Sequence, residues 1–290
     1  MTMGNVIIIG TGPAGISAAL YTARAKVATT LIGKGPGALE KAEQIENYYG
    51  FARPVAGKTL LADGMEQALR AGAEIVRGEV VSLGYADKLT VKTVESEYAA
   101  DCVILATGAS RRAPGIKGLA EYEGRGVGYC AVCDAFFHKG KDVAVLGCCE
   151  YALSEAAELL PVVNSVTLLT NGETPISNIP PKIKIITAGI EEFAGGRVLE
   201  EVVFKNGEKI SVSGVFVAVG VAGSTELARN MGAEIRGNTI VVDSRMATGI
   251  PGLYAAGDCT GGMFQIAKAV YQGAVAGTEA VKYIREEKKK

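Results

Sequence analysis

Short apolar runs alternate with longer amphipathic stretches along the chain, and glycine-rich turns separate many of them. Near the amino terminus, the apolar run Val6 to Ile9 precedes a glycine turn, the helix-like stretch Ile16 to Ala25 and a second apolar run, Thr29 to Ile32. A strand, a tight turn, a helix and another strand in this order are typical of a βαβ unit with parallel strands. The pattern therefore predicts an α/β fold for this part of the chain.

The same order occurs again in the middle of the chain. Val143 to Leu146 is predicted to be a strand, Tyr151 to Leu160 a helix and Val166 to Leu169 the returning strand. The segment Ala113 to Gly118, which contains proline and glycine, is interpreted as the linker before this unit. Two βαβ units of this kind predict two Rossmann-like, dinucleotide-binding-type domains.

The pattern of the first unit resumes late in the chain. After the turn-rich segment Thr248 to Gly252 a new apolar run begins, and a long helix is predicted from about Gln265 to Ile284. The second domain is therefore predicted to be inserted into the first. We expect one domain to comprise residues 1–112 and 243–290, and the inserted domain residues 113–242.

Composition excludes some classes of function. Hydrophobic residues make up 48% of the 290 and charged residues 21%, and the formal net charge is −1, so neither nucleic acid nor a membrane surface is indicated as a partner. No apolar run is long enough for a membrane helix, and the first run is too short for a signal peptide, so we expect a cytoplasmic protein.

The first glycine turn, from Gly10 to Gly15, has the spacing that binds a dinucleotide. Gly10 permits the tight turn, Gly12 lets the backbone approach a pyrophosphate, and Gly15 lets the helix pack closely on the strand. A glycine-rich turn without a ligand is the alternative. The acidic residue that usually holds a ribose after the second strand is missing, since Gly33 and Lys34 occupy that place.

Two downstream segments support a bound dinucleotide despite that gap. The apolar run Val103 to Leu105 ends in Ala106-Thr107-Gly108, and the run from Leu253 ends in Gly257-Asp258. Together with the first glycine turn, they resemble the FAD-binding elements of flavoproteins with two dinucleotide-binding domains.

The second glycine turn departs from the binding pattern. In the stretch from Gly147 to Ala152, Cys149 occupies the position where glycine admits a pyrophosphate, and the large Tyr151 follows two positions later, so we expect a phosphate to meet side chains there. Between Lys141 and Arg197 the only cations are Lys182 and Lys184, so a site for the 2′-phosphate of NADPH is predicted to be absent. NADH held by Glu173 remains an alternative.

Six cysteines in a chain of this length do not predict a disulfide scaffold. Cys130 and Cys133 have the C-x-x-C spacing of a redox pair or of half a zinc site. Zinc needs two more ligands, which the adjacent Cys148 and Cys149 are poorly arranged to supply, and the single histidine, His138, is interpreted as a surface residue, so we expect no metal. Cys102 and Cys259 are expected to be buried small hydrophobic residues.

Over nearly its whole length the chain resembles the low-molecular-weight thioredoxin reductases. The motifs of that family occur in register in this chain: the glycine turn, Ile45-Glu46-Asn47, Ala-Thr-Gly, C-x-x-C-Asp followed by Phe136 and Phe137, and Ala-Gly-Asp. The resemblance implies a homodimer in which Cys133 faces FAD, Cys130 attacks the disulfide of thioredoxin, and Asp134 is the general acid. It also implies that FAD is held by Gly10, Gly12, Pro13, Ala14, Gly15, Asn47, Thr107, Gly108, Gly257, Asp258 and Gln265.

One branch of that family, the ferredoxin-dependent flavin thioredoxin reductases, retains FAD and C-x-x-C but lacks the pyridine-nucleotide motifs. This sequence resembles that branch, which implies reduced ferredoxin as the electron donor. NADH, or NADPH bound in a divergent way, is the alternative donor. A non-catalytic flavin-binding or zinc-stabilised interaction protein is the alternative from another class.

Overall fold

The computed structural model describes residues 4–35, 37–108, 114–129, 131–219 and 223–288; for Ala38, Val132 and Cys133 it describes the backbone alone. The chain forms two compact units. The first unit comprises residues 1–110 and 223–290, and the second unit comprises residues 111–222. The second unit is therefore inserted into the first.

The two βαβ units, the late strand from Leu253 and the closing helix follow one another in the predicted order. The helices are α1 (Pro13–Arg24), α2 (Gly57–Ala71), α3 (Ala131–Asp134), α4 (Glu150–Leu159), α5 (Ser224–Asn230) and α6 (Ile266–Glu287). The strands of the first unit before the insertion are β1 (Asn5–Ile9), β2 (Ala28–Gly33), β3 (Glu74–Arg77), β4 (Val80–Tyr85), β5 (Leu89–Thr93), β6 (Glu97–Ala100) and β7 (Cys102–Leu105). The later strands are β8 (Val127–Gly128), β9 (Asp142–Leu146), β10 (Ser165–Leu169), β11 (Ile183–Ile186), β12 (Ile190–Gly195), β13 (Leu199–Phe204), β14 (Lys209–Ser211), β15 (Gly214–Val217), β16 (Ile235–Arg236), β17 (Thr239–Ile240) and β18 (Leu253–Ala255).

The first unit is built on a parallel sheet with strand order β18-β7-β1-β2-β3. Strand β1 pairs in register with β2, from Asn5 opposite Ala28 to Ile9 opposite Ile32. Its apolar residues are buried because the sheet is covered on both faces, which explains the continuous rather than alternating apolar run. Two smaller antiparallel sheets, β4-β5-β6 and β16-β17, complete this unit.

Helices α1 and α6 pack against each other unusually closely in the first unit. A Cβ atom at Gly273 would lie 2.1 Å from the carbonyl oxygen of Ala14, and one at Gly277 would lie 2.7 Å from that of Ala18. Because only glycine fits at such distances, these two residues fix how closely the helices approach. The contact holds the start of α1 in place next to the end of β1.

The second unit repeats the parallel architecture with strand order β11-β10-β9-β15-β8 and adds the antiparallel sheet β12-β13-β14. On β9 and β15 its apolar core is formed by small and branched side chains such as Ala144, Leu146 and Val215. The prediction of an α/β fold with two Rossmann-like domains is confirmed.

The second boundary of the insertion lies earlier than the sequence suggested. Residues 223–242, placed in the inserted domain by the pattern, belong to the first unit. The reason is a set of contacts that connect α5 with β4 and join Ser224 to Thr107 by hydrogen bonds. Among the helices that the structure describes, none is long and apolar enough to cross a membrane.

Candidate functional site

The first glycine turn has the steric character of a dinucleotide-binding loop. A Cβ atom at Gly10 would lie 2.3 Å from the carbonyl oxygen of Ala106, and one at Gly15 would lie 1.9 Å from that of Gly10. At Gly12, by contrast, no atom lies within 4 Å of the Cβ position. Gly10 and Gly15 are therefore required by the fold, while Gly12 leaves open space at the start of α1, where a pyrophosphate would lie.

The Ala-Thr-Gly turn after β7 adjoins this loop. The close approach of Gly10 to Ala106 brings the two turns together. The Thr107 hydroxyl lies 2.7 Å from the Ser224 hydroxyl, and the backbone N–H of Ser224 donates to the Thr107 hydroxyl at 2.8 Å. Gly108 adopts a φ of 82°, which favours glycine. Sequence reasoning did not find Ser224, because nothing in the pattern links positions so far apart.

The turn after β18 reaches the same region from another strand. A Cβ atom at Gly257 would lie 2.9 Å from the Cβ of Ala14, so this turn touches the start of α1 and sets Asp258 beside it. Lys268 on α6 donates to the carbonyl oxygens of Gly257 at 3.1 Å and Gly261 at 2.5 Å, and its Nζ is 3.9 Å from Asp258 Oδ1. Lys268 was also not found from the sequence.

Asn47 and Gln265, both predicted to lie near a flavin, are brought together. The Asn47 side-chain amide donates to Oε1 of Gln265 at 2.9 Å across 218 positions of sequence, and both side chains are exposed. The structure therefore joins two predicted residues that the sequence could place only separately.

The lysine that follows β2 pairs with a buried acidic residue from another part of the chain. Lys34, which stands where the binding pattern has an acidic residue, forms a hydrogen-bonded ion pair with Glu79, from the segment between β3 and β4. The Glu79 side chain is only 7% exposed. A carboxylate is thus present at this edge of the sheet, although it comes from a different part of the chain than the binding pattern specifies.

The C-x-x-C motif lies at the short helix α3 in the second unit. Cys130 and the side chain of Cys133 fall outside the described part of the structure. The backbone N–H of Ala131, between the two cysteines, donates to Glu155 Oε2 of α4 at 2.7 Å. Asp134 ends α3, and its Oδ2 lies against Gly128, 2.8 Å from where a Cβ atom would be.

The residues that follow the motif differ sharply in exposure. Phe136 and Phe137 are 76% and 71% exposed. His138 is half-buried, with its ring edge-on to Phe216 at 5.5 Å between centroids and its Nδ1 2.9 Å from the Ser213 hydroxyl. The interpretation of His138 as a surface residue was wrong, because its ring packs over Gly214. Burial, with a smaller contribution from Lys141, lowers its pKa.

The second glycine turn keeps the structural glycine and loses the open one. A Cβ atom at Gly147 would lie 2.2 Å from the carbonyl oxygen of Ala218, so Gly147 is as necessary as Gly10. Cys149, at the position corresponding to Gly12, immediately precedes α4, and its Sγ lies 4.0 Å from the Ala218 carbonyl oxygen. The thiol therefore occupies part of the region that is open in the first unit.

Tyr151 acts differently from what the sequence suggested. The pattern predicted that a phosphate would meet its side chain, but the ring is only 1% exposed and fills the interior of the second unit. The obstacle at the turn is thus Cys149 rather than Tyr151.

Lys182 and Lys184 lie toward the amino ends of the parallel strands of the second unit, away from the end where a nucleotide would bind. Lys184 on β11 is opposite Thr167, and its charge acts on Asp142 at the amino end of β9, while Lys182 precedes β11. Nucleotides bind outside the carboxyl ends of parallel strands. Neither lysine is therefore placed to bind a 2′-phosphate at the second glycine turn.

The remaining cysteines fall into two groups. Cys102 and Cys259 are fully buried, as predicted, and burial raises the pKa of both thiols, that of Cys259 to about 11. Cys148 and Cys149 are half-buried. Within the described ranges, no group of three or more histidine, cysteine or acidic residues is arranged to hold a metal ion.

Two parallel-sheet units, one with an open glycine loop and the other with a C-x-x-C motif, define the class of nucleotide-linked disulfide oxidoreductases. Residues 4–273 match the family described as pyridine nucleotide-disulphide oxidoreductase. The chain belongs to this family and, by its relatives, to the thioredoxin reductases within it.

Three relatives illustrate the similarity. A thioredoxin reductase from Aquifex aeolicus is 38% identical over 273 residues, which cover 88% of this chain and 84% of that protein. The crystal structure of the atypical thioredoxin reductase TRi from Desulfovibrio vulgaris Hildenborough has a TM-score of 0.92 at 39% identity, covering 98% of this chain and 99% of that one. A ferredoxin-flavin thioredoxin reductase from Clostridium acetobutylicum has a TM-score of 0.72 at 32% identity and covers 98% of both chains.

Proposed function

We propose that this chain is an FAD-dependent disulfide reductase that reduces thioredoxin through the Cys130–Cys133 pair, with electrons from reduced ferredoxin rather than from NADPH. The observation that carries the proposal is the contrast between the two glycine turns. The position that faces a pyrophosphate is open at Gly12, whereas the corresponding position in the second unit bears the side chain of Cys149.

The first unit supplies groups suited to FAD. The start of α1 offers N–H groups to a pyrophosphate, Asp258 is a candidate acceptor for hydroxyl groups, and the Asn47 and Gln265 amides are exposed and able to bind a polar ring edge. When bound, FAD supplies the capacity to collect electrons and to deliver them in pairs to a disulfide.

The second unit supplies the thiol chemistry. Reduction of the Cys130–Cys133 disulfide consumes two electrons and two protons and leaves two thiols. The Cys130 thiolate then attacks one sulfur of the partner's disulfide, and the other sulfur leaves as a thiolate that takes a proton. Asp134 is proposed to donate that proton, and attack by Cys133 on the mixed disulfide then releases the reduced partner and restores the original disulfide.

Thioredoxin is proposed as the partner from the exposed aromatics and the named relatives. Phe136 and Phe137 directly follow the motif and present large apolar surfaces to solvent. Exposed aromatic side chains are characteristic anchors of protein interfaces. The relatives from Aquifex aeolicus and Peptoclostridium acidaminophilum are both named thioredoxin reductases.

Ferredoxin is proposed as donor because the second unit disfavours a nicotinamide nucleotide. Cys149 narrows the turn, and both lysines of the segment lie at the opposite edge of the sheet. The Clostridium acetobutylicum relative is itself named a ferredoxin-flavin enzyme. Lys139 and Lys141 are exposed near the motif and could steer an acidic donor, whereas Lys117 is paired with Glu192. Arg111 and Arg112, two further cations that precede the motif in the sequence, lie outside the described residues.

The proposal is tested by mixing the oxidised, FAD-loaded protein anaerobically with NADPH, NADH or reduced ferredoxin in parallel. Flavin absorbance and thiol formation are followed together. Rapid reduction by ferredoxin alone, with the appearance of two thiols per chain, is the expected result. Rapid bleaching by either nicotinamide would show that the second glycine turn accepts a nucleotide, with Glu173 as the first residue to test for NADH.

Two variants separate the enzyme from a non-catalytic flavin protein. Cys130→Ser and Cys133→Ser should each abolish reduction of thioredoxin while leaving FAD content unchanged, because both cysteines belong to the second unit. Cys148→Ser is a matched control from the same unit and should retain turnover. Equal turnover in all three variants would remove the redox pair from the mechanism. The family relationship also leads us to propose a cytoplasmic homodimer. The molar mass measured by light scattering tests whether the protein is a dimer.

A further inference from the structure

A buried carboxyl group touches the backbone of the C-x-x-C motif. Glu155 on α4 is only 3% exposed, and its Oε2 accepts the N–H of Ala131 at 2.7 Å. Among the described residues, Glu79 and Glu155 are the buried acidic side chains. Glu79 is paired with Lys34, whereas the hydrogen bond of Glu155 reaches a peptide between the two cysteines.

We propose that Glu155 is a positioning residue that makes the Cys130–Cys133 pair more strongly reducing, by holding the peptide between the cysteines and placing a carboxylate beside it. This inference deepens the proposed function, since it concerns the same redox pair. Burial opposes ionisation of a carboxyl group, but an N–H donated to its oxygen favours the ionised form. Ala131 is bonded directly to Cys130, so a carboxylate at Glu155 would place its negative charge within a few bond lengths of the motif.

The sign of the effect follows from electrostatics. A nearby negative charge disfavours the thiolate form of a cysteine. A pair whose thiolate is less stable in the reduced state is a stronger reductant, since stabilisation of the reduced form is what makes a disulfide oxidising. The carboxylate should therefore favour the disulfide form of the pair and its transfer of electrons to a partner.

Other titratable groups follow the motif or lie on α4, and the test variants leave them unchanged. Asp134 and His138 follow on the same segment and interact with each other, and Tyr151 is buried one turn earlier on α4. The strands beneath α4, β9 and β10, contribute apolar residues such as Val145 and Leu168. Glu158, on the exposed side of α4, provides a matched control for loss of one negative charge.

The test compares Glu155→Gln, Glu155→Asp and Glu158→Gln in the full-length, FAD-loaded protein. Two quantities are measured: the dithiol–disulfide equilibrium of the pair in a thiol redox buffer, and the pH at which iodoacetamide alkylation of the reduced pair is half-maximal. Both can be followed on tryptic peptide 126–139, which contains only Cys130 and Cys133 as cysteines. FAD content and thermal midpoint report whether each variant is folded.

Glu155→Gln keeps an oxygen that can accept the Ala131 N–H but removes the charge. It should shift the equilibrium toward the dithiol by about tenfold, equivalent to about 30 mV for this two-electron couple, and move alkylation to lower pH. Glu155→Asp, which retains the charge, should stay closer to the parent, and Glu158→Gln should match the parent in both measurements.

Parent-like values for Glu155→Gln in both measurements would overturn the inference, as would an equal shift in Glu158→Gln. If Glu155→Gln proved unstable, Glu155→Asp and Glu155→Ala would be compared instead. A parent-like equilibrium constant in folded Glu155→Asp and a shifted one in Glu155→Ala would support a role of the charge. Equal shifts in both variants would oppose it. Failure of the proposed function has a different signature: the parent protein would then form no Cys130–Cys133 disulfide under mild oxidation.

Discussion

At the scale of single residues, the two glycine turns separate what the fold requires from what a ligand requires. Added Cβ atoms at Gly10, Gly15 and Gly147 would clash with nearby backbone, whereas a Cβ atom at Gly12 would have no neighbour within 4 Å. Cys149 takes the place of that last kind of glycine. The sequence pattern predicted this difference, because the spacing of the turn assigns each glycine a separate task. It did not predict that the Tyr151 ring would turn inward, since the direction of a side chain depends on the core.

Replacement of Gly12 should affect ligand binding without affecting the fold. Gly12→Val places a side chain in open space at a φ of −83°, which any residue adopts, so the thermal midpoint of the FAD-free protein should change little while FAD affinity falls by about tenfold or more. Gly15→Ala should instead destabilise the protein, because its Cβ would meet the Gly10 carbonyl oxygen at 1.9 Å. FAD titration by fluorescence and thermal unfolding check the pair. Normal FAD affinity in folded Gly12→Val would contradict the assignment of this loop.

Asp101 gives a prediction for the pH dependence of stability. Burial opposes its ionisation, but a hydrogen bond and ion pair from Lys88 at 2.6 Å and the backbone N–H of Asn5 at 2.9 Å outweigh burial and lower its pKa. Because the pKa is lower in the folded state, the ionised carboxylate stabilises the protein above the usual aspartate range, and this contribution is lost as the pH falls through the lowered pKa.

Asp101→Asn should therefore destabilise the protein by about 1 to 2 kcal/mol at pH 7 and by much less at about pH 3. Denaturant unfolding at the two pH values measures the difference. Asp87→Asn removes an exposed carboxylate from the same unit and should have almost no effect at either pH. A difference between parent and Asp101→Asn that did not depend on pH would contradict the electrostatic explanation.

At the scale of elements, the long strands and helices were predictable, and the contacts between distant elements were not. The pattern predicted a helix over Tyr151 to Leu160, and α4 spans Glu150–Leu159. The short helix α5 gave no periodic signal, so its association with β4, and the boundary at residue 223, could not be derived. The Lys34–Glu79 pair and the Ala131–Glu155 hydrogen bond also join different elements, and no local spacing encodes them.

The packing of α6 against α1 predicts that replacing one helical glycine by alanine lowers the stability of the protein instead of raising it. Glycine to alanine within a helix normally stabilises it by about 1 kcal/mol. At Gly273 the added Cβ would lie 2.1 Å from the Ala14 carbonyl oxygen, so Gly273→Ala should destabilise the protein by about 2 kcal/mol or more. It should also weaken FAD binding, because Ala14 belongs to the glycine loop. Thermal unfolding and FAD titration measure both effects, and a stabilised variant would refute the close approach.

At the scale of the whole molecule, hydrogen bonds between Thr107 and Ser224 hold the two ends of the insertion close together. These residues flank the points where the chain leaves and re-enters the first unit, and their hydroxyl oxygens lie 2.7 Å apart. Replacing residues 111–222 by a short glycine–serine linker should therefore leave a folded first unit that binds FAD and has no thioredoxin reductase activity. Circular dichroism and FAD content test this deletion, and an unfolded product would mean that the first unit depends on the second.

The position of the insertion also bears on how the chain folds. Strand β7 must pair with β18, so Val103 has to find Leu253 after the whole second unit has been synthesised. Closing so long a flexible loop slows the search, although the entropic cost grows only with the logarithm of its length. If residues 111–222 fold first as a unit, the flexible chain between β7 and β18 is reduced to the short segments on either side of that unit. Early folding of the second unit would then speed the pairing of β18 with β7.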